Sequence, residues 1–217
     1  MLAALPRESR PDAGLATAPM ENHSPPMPPR AARAPTTSAG AAEPTSKPAA
    51  ARTGPRGVRD QVTGLVLPES EPLTVSIPRI VARSTLVDLG VDGHGELEVP
   101  RDPARAGWFS RGPTPGALGP AVIAGHVTWN GAPAVFYRLA TMHRGDRVSV
   151  GRKDGRTAVF KVTRVARFSK SRFPSRAVYG PIDHAGLRLI TCGGTYDAAA
   201  HRYLDNVIVF ARLVARG

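Results

Sequence analysis

Apolar residues in this chain come in short runs that alternate with polar ones, and turn residues punctuate them from about residue 65 onward. Alternation with period two predicts strands. Leu73-Thr-Val-Ser-Ile-Pro78 reads as a first strand, stopped by its proline, and Ser84-Thr-Leu-Val-Asp-Leu89 as a second. Gly90-Val-Asp-Gly-His-Gly95 is a turn region before a third, Leu97-Glu-Val-Pro100. Ala121-Val-Ile-Ala-Gly-His126 reads as a buried strand that ends on a histidine, and Ala134 to Leu139 as one helical turn. Arg147–Val150 and Thr157–Val165 flank Asp154-Gly155, the strongest short hairpin signal in the chain. Leu187 to Cys192 and Tyr203 to Leu213 supply the last two strands. No amphipathic helix longer than about three turns stands out. Roughly eight strands in ~150 residues predict a closed barrel or a sandwich, an all-β fold with short helical turns.

The pattern fails before residue 60. Met20-Glu-Asn-His-Ser-Pro-Pro-Met-Pro-Pro29 and Ala31 to Ala51 show neither period, are rich in proline and alanine, and contain no aromatic residue. Such a segment cannot bury enough apolar surface to offset its ordering entropy. Residues 1–60 therefore read as a disordered Pro/Ala-rich linker, either a plain tail or a spacer, and residues 61–217 as the folded domain.

Charge and composition narrow the classes. The chain has 217 residues and a formal net charge of +12, with a single cysteine. One cysteine excludes an intramolecular disulfide framework and a multi-thiolate zinc site. No acidic cluster suggests calcium, so no metal and no cofactor are expected. No apolar run is long enough for a transmembrane helix. Between Arg152 and Arg176 there are nine basic residues and one acid, Asp154. That density fits attraction to an anionic membrane or wall polymer, or a merely solvated basic face. Nucleic acid is not expected, because the segment lacks interleaved aromatics for stacking and no recognition helix is visible.

The candidate chemistry lies in Leu187-Arg-Leu-Ile-Thr-Cys192-Gly-Gly194. Leu187, Leu189 and Thr191 point to one face of the strand; Arg188, Ile190 and Cys192 point to the other. Read alone, Cys192 is either a small buried hydrophobe or a nucleophile beside an open glycine turn. A thiolate needs an imidazole nearby as base or compensating charge. Of six histidines, His23 is in the tail, His94 in a glycine turn, His143 and His184 in polar connections, and His201 in the small-residue loop after Cys192. Only His126 ends an apolar strand, with Gly125 making room beside it. Arg202 precedes the last apolar run and is a fixed cation suited to a peptide carbonyl and its oxyanion.

Val-Ile-Ala-Gly-His126, Leu-Ile-Thr-Cys192-Gly-Gly and an arginine before a final apolar strand resemble, in order and spacing, the sortase family over about residues 72–213. Gly193-Gly194, the run Tyr203-Leu-Asp-Asn-Val-Ile-Val and Phe173-Pro-Ser-Arg-Ala-Val-Tyr-Gly180 are most similar to the class F sortases of actinobacteria. The resemblance implies an eight-stranded β-barrel and a cysteine transpeptidase. It implies substrates with a Leu-Pro-x-Thr-Gly-like sorting signal, cut between Thr and Gly, and a cell-wall precursor amine as acceptor. Carried across, Cys192 resembles the nucleophile, His126 the acid/base partner and Arg202 the oxyanion-side arginine. Two departures stand out. Arg188 replaces the first threonine of the family's cysteine motif, and Asn206 stands where better-known sortases carry the arginine. Arg202 lies four residues earlier, with the same side-chain parity if the strand reaches it. Sortases are usually tethered by an N-terminal membrane segment, so an extracytoplasmic, anchored and monomeric native protein is expected, its anchor lost here by truncation or start-site choice. Two alternatives remain: a cysteine L,D-transpeptidase, whose Ser-x-Gly-Cys type of motif is missing, and a non-catalytic basic β-barrel with an inert Cys192.

Overall fold

The alternation of apolar and polar side chains closes eight strands on themselves. The computed structural model describes residues 62–93 and 95–217. The linker read at residues 1–60, with His23, and the turn histidine His94 lie outside the described residues. Strands β1 (Pro72–Ile77), β2 (Ala82–Leu89), β3 (Ala106–Phe109) and β4 (Gly119–Ala124) are followed by a small hairpin, β5 (Thr128–Trp129) and β6 (Ala132–Pro133). Then come β7 (Arg147–Arg152), β8 (Thr157–Ser169), the short helix α1 (Ser175–Tyr179), β9 (Ala185–Asp197) and β10 (Arg202–Arg216). The barrel order is β1-β2-β3-β4-β9-β10-β8-β7, with β7 closing onto β1. The β2–β3 and β4–β9 pairs are parallel and the other pairs antiparallel. The all-β, eight-stranded barrel expected for residues 72–213 is therefore the observed fold.

Two apolar layers hold it. Val75, Ile77, Ile123, Phe160, Leu187 and Leu189 fill the barrel interior. The other faces of β4, β9 and β10 are covered too: Val122, Ala124, Ile190, Ile208 and Phe210 pack with Phe109, Leu97 and Val178 of α1. All six residues of β4 are consequently buried, which is why it reads as a continuous apolar run rather than an alternating one. Burial of each leucine-sized side chain contributes about 1.5–3 kcal/mol. Arg188 belongs to the outer layer, where its guanidinium lies 4.8 Å from the Phe210 ring and Arg164 lies 4.1 Å from the same ring. Burial first, and the charge of Arg164 second, lower the Arg188 pKa to about 10.

Three sequence readings need correction. Leu97–Pro100 is not a barrel strand: Leu97 makes only an isolated bridge to Val91, and its side chain is buried in the outer layer. The third barrel strand is β3, four residues long and interrupted by Gly107, too short to show a period. The turn at Ala134–Leu139 is a series of tight turns, and the 3-10 helix falls on Leu139–Thr141. Arg152 does not belong to the basic surface. Its buried guanidinium donates to the Pro115 and Pro68 carbonyls and to Asp154, tying the β7–β8 hairpin to the segment before β1.

Candidate active site

His126 and Cys192 meet because β4 and β9 run parallel as neighbours. Their last paired residues are Ala124 and Ile190, and two residues further along each chain stand His126 and Cys192. The alternation predicted for β9 holds: Leu187 and Leu189 face the interior, Arg188 and Ile190 the outer layer, and Cys192 continues the outer row. Gly125 makes this approach possible. A Cβ there would stand 2.7 Å from Val135 Cγ1 and 2.9 Å from Phe136 Cδ2. Gly125 N donates to Ile190 O at 3.1 Å, Thr191 Oγ1 donates to Gly125 O at 2.7 Å, and Phe136 N donates to His126 O at 2.9 Å.

The imidazole is held in a defined tautomer. His126 Nε2 lies 2.8 Å from Pro100 O, and a carbonyl can only accept, so Nε2 carries a proton. In the neutral ring Nδ1 is then the basic nitrogen. Trp129 packs edge-on against the ring with centroids 4.9 Å apart. Burial lowers the His126 pKa, and the Pro100 carbonyl partly offsets that. Burial raises the Cys192 pKa, while the charge of Lys170 and a hydrogen bond from it act in the opposite sense. Both shifts favour the uncharged pair, thiol and imidazole, over the ion pair at neutral pH.

One cavity collects His126, Trp129, Lys170, Cys192, Arg202 and Tyr203. Its walls are tied by Thr128 Oγ1 and Tyr203 OH, 3.0 Å apart, and by Tyr196 and Tyr203, whose rings meet edge-on at 5.1 Å. The structure therefore brings together all three sequence-derived residues, Cys192, His126 and Arg202, with His201 at the rim. His184 instead pairs with Asp183 at 2.7 Å, outside this cavity. The last strand does reach Arg202, which pairs with Asp197 near the tip of the β9–β10 hairpin. A register shift between Tyr203 and Asp205 bends that tip. Gly194 supports it with φ of 79°, a left-handed backbone that glycine adopts without strain, and a Cβ there would collide with the Asp205 carboxylate.

Two further residues stand beside the thiol. Asn206 is the cross-strand partner of Cys192, is buried, and its Nδ2 has no hydrogen-bond partner among the described residues. Lys170 lines the same cavity as Cys192, and its charge acts to lower the thiol pKa against burial. The sequence showed it only as one of nine basic residues, since its nearness to Cys192 depends on strand order. No cluster of His, Cys, Asp or Glu suited to a metal ion occurs among the described residues.

A sortase-domain family model matches residues 75–214, most of the folded part of the chain. The chain belongs to the sortase family. Sortases are cysteine transpeptidases that act on the sorting signals of surface proteins, which turns the thiol–imidazole pair from a geometric coincidence into an active-site candidate. Solved structures agree on the fold. The chain is 18% identical to SrtA sortase from Actinomyces oris, with a TM-score of 0.52 over 72% of this chain and 88% of that one. It is 20% identical to a lid mutant of sortase A from Corynebacterium diphtheriae, with a TM-score of 0.52 over 65% and 69%. Against a pilus-related sortase C of Group B Streptococcus the values are 18%, 0.51, and 70% of each chain. A search among curated protein sequences finds no match.

Proposed function

We propose that this sortase domain cuts a Leu-Pro-x-Thr-Gly-like sorting signal between Thr and Gly through a thioester on Cys192, and passes the acyl group to a cell-wall amine. The observation that carries the reading is the level placement of His126, just past the end of β4, and Cys192, on the adjacent parallel strand β9, facing one cavity. Cys192 Sγ gives its proton to His126 Nδ1 as it bonds to the threonine carbonyl carbon, and the C=O electron pair moves onto oxygen. Arg202, at the same cavity, supplies charge toward that oxygen. Collapse breaks the C–N bond, and the leaving glycine amine takes the proton from His126. An incoming amine, or water as the poorer acceptor, reverses the sequence and frees the thiol. Raised thiol and lowered imidazole pKa values suit this order, because the proton that must move starts on sulfur.

The class F assignment rests on Gly193-Gly194 and the run from Tyr203, since sortases named A and C match at nearly equal TM-scores. Action outside the cytoplasm, next to the wall, follows from the family's sorting-signal chemistry. Among the described residues no helix is long and apolar enough to cross a membrane. Cleavage of Leu-Pro-x-Thr-Gly peptides, with and without an added amine, tests the reading. Cys192→Ala is expected to abolish turnover. His126→Ala is expected to lower it about a hundredfold to ten-thousandfold, the range for losing a proton-transfer group. Full activity in Cys192→Ala would refute the mechanism.

A further inference from the structure

Strand order lines up one residue from each of three strands, with His126 beside them, across the outer face. Asn206 on β10 pairs with Phe168 on β8 to one side and with Cys192 on β9 to the other, and His126 lies level with Cys192 beyond the end of β4. Two positions past Phe168, β8 gives way to a 3-10 turn at Lys170–Arg172. The Lys170 side chain lines the same cavity as Cys192, and its charge acts to lower the thiol pKa against burial. Among the described residues Lys170 makes no ion pair with a carboxylate, so its charge is not committed elsewhere. Lys170 is also only half-buried, which lets it approach the sulfur without the full cost of burying an ammonium.

We propose that Lys170 is a catalytic residue: its ammonium pairs with the Cys192 sulfur and stabilises the negative charge that forms there when the thiol gives up its proton. The inference rests on the thioester reaction set out above and adds to it the cation that faces the sulfur, a role Arg202 does not fill. Arg202 sits exposed at the hairpin tip opposite Asp197. In the balanced step Lys170 keeps all its protons. The proton leaves Sγ for His126 Nδ1, the Sγ lone pair forms the bond to carbon, and the ammonium holds the sulfur's charge between those events. When the thioester breaks, the returning electron pair on Sγ meets the same ammonium before His126 reprotonates it. The other titratable groups at the cavity are His126, Tyr196, His201, Arg202 and Tyr203, with the Asp205 carboxylate against Gly194. Of these groups Asp205 alone carries a carboxyl group. Lys170 therefore opposes, at close range, the burial that holds the thiol protonated.

The test is iodoacetamide alkylation of the full chain as a function of pH, which reads the single thiol and needs no peptide. Wild type is compared with Lys170→Met, Lys170→Arg and, as a charge control from the β7–β8 turn, Lys153→Met. Lys170→Met is expected to raise the alkylation midpoint by about one pH unit, tenfold in thiolate population. Lys170→Arg should restore most of it, and Lys153→Met should superimpose on wild type. Peptide cleavage by Lys170→Met should fall about tenfold in kcat with KM little changed. If Lys170→Met does not fold, Lys170→Gln carries the same reading. A Lys170→Met profile that superimposes on wild type overturns the proposal, even where the wild type cleaves peptide normally. Lys170-dependent alkylation in a wild type that cleaves no sorting peptide refutes the proposed reaction instead, and leaves the Lys170–Cys192 pair standing.

Discussion

Gly125→Ala tests whether close packing sets the register between His126 and Cys192. The added Cβ would lie 2.7 Å from Val135 Cγ1 and 2.9 Å from Phe136 Cδ2, where carbon atoms ordinarily approach to about 3.5–4.0 Å. Something must shift by roughly 1 Å. The backbone at Gly125 is not in the left-handed region, so the methyl brings a packing cost and no dihedral cost. The shift has no easy exit. Phe136 is fully buried and its N–H holds His126 O, while Gly125 itself is pinned to β9 by the Ile190 carbonyl and the Thr191 hydroxyl. Overpacking of this kind costs about 1–3 kcal/mol, or roughly 2–4 °C of melting temperature per kcal/mol in a domain of this size. A misplacement near 1 Å costs about a hundredfold in rate. Thermal melts and peptide-cleavage kinetics should both respond, and Phe136→Leu on top of Gly125→Ala should return part of the activity by removing the ring edge. An alanine variant with wild-type melting temperature and kcat/KM would refute the reasoning.

Stability should peak between the ionisations of the catalytic pair. The folded-state pKa of His126 is lowered, so its contribution is present above the unfolded value of about 6.5 and is lost as pH falls below it; that of Cys192 is raised, so its contribution is lost as pH rises above about 8.5. Urea denaturation from pH 5 to 9 checks this, and His126→Gln should flatten the acid side. Arg202→Ala is expected to lower kcat/KM by about 100- to 1,000-fold as an oxyanion donor, with Arg202→Lys recovering part. Asn206→Ala should cost much less, and peptide kinetics reversing that order would move the oxyanion role to Asn206. Changing Arg164, Arg167 and Arg172 to Glu should weaken binding to anionic vesicles while leaving peptide cleavage nearly unchanged, and the difference should shrink with salt. Binding that ignores salt would return the basic segment to a solvated face.

The parts of the fold that the sequence made legible are those fixed by local pattern. Leu187 and Leu189 against Arg188 and Ile190 gave β9 its two faces, and Asp154-Gly155 gave the β7–β8 hairpin, where Gly155 has φ of 80°. Cys192, His126 and Arg202 stood out as candidates from short local motifs, and the structure places all three at one cavity. What stayed hidden depends on neighbours far apart in sequence. Strand β3 is four residues long, and its pairing with β2 and β4 decides its state. Arg152 looked like part of a basic surface because nothing local reveals that the Pro68 and Pro115 carbonyls converge on it. Lys170 was one charge among nine until the order β9-β10-β8 carried it across to the thiol.

The misread segment Leu97–Pro100 turns out to serve the site. As a strand it would have spent its carbonyls on a neighbour's N–H groups. As a loop anchored by buried Leu97, it leaves Pro100 O free to accept from His126 Nε2. A carbonyl at this position has an electrostatic consequence. A carboxylate would favour the imidazolium and the ion pair with the thiolate; a carbonyl fixes the tautomer with a dipole and leaves burial to keep the ring neutral. Burial thus favours the proton on sulfur, and the proposed charge of Lys170 enters the same cavity from the 3-10 turn after β8. The barrel's part is to make distant stretches of chain meet where β4 ends, where β9 passes through Cys192 and where β8 gives way to its 3-10 turn.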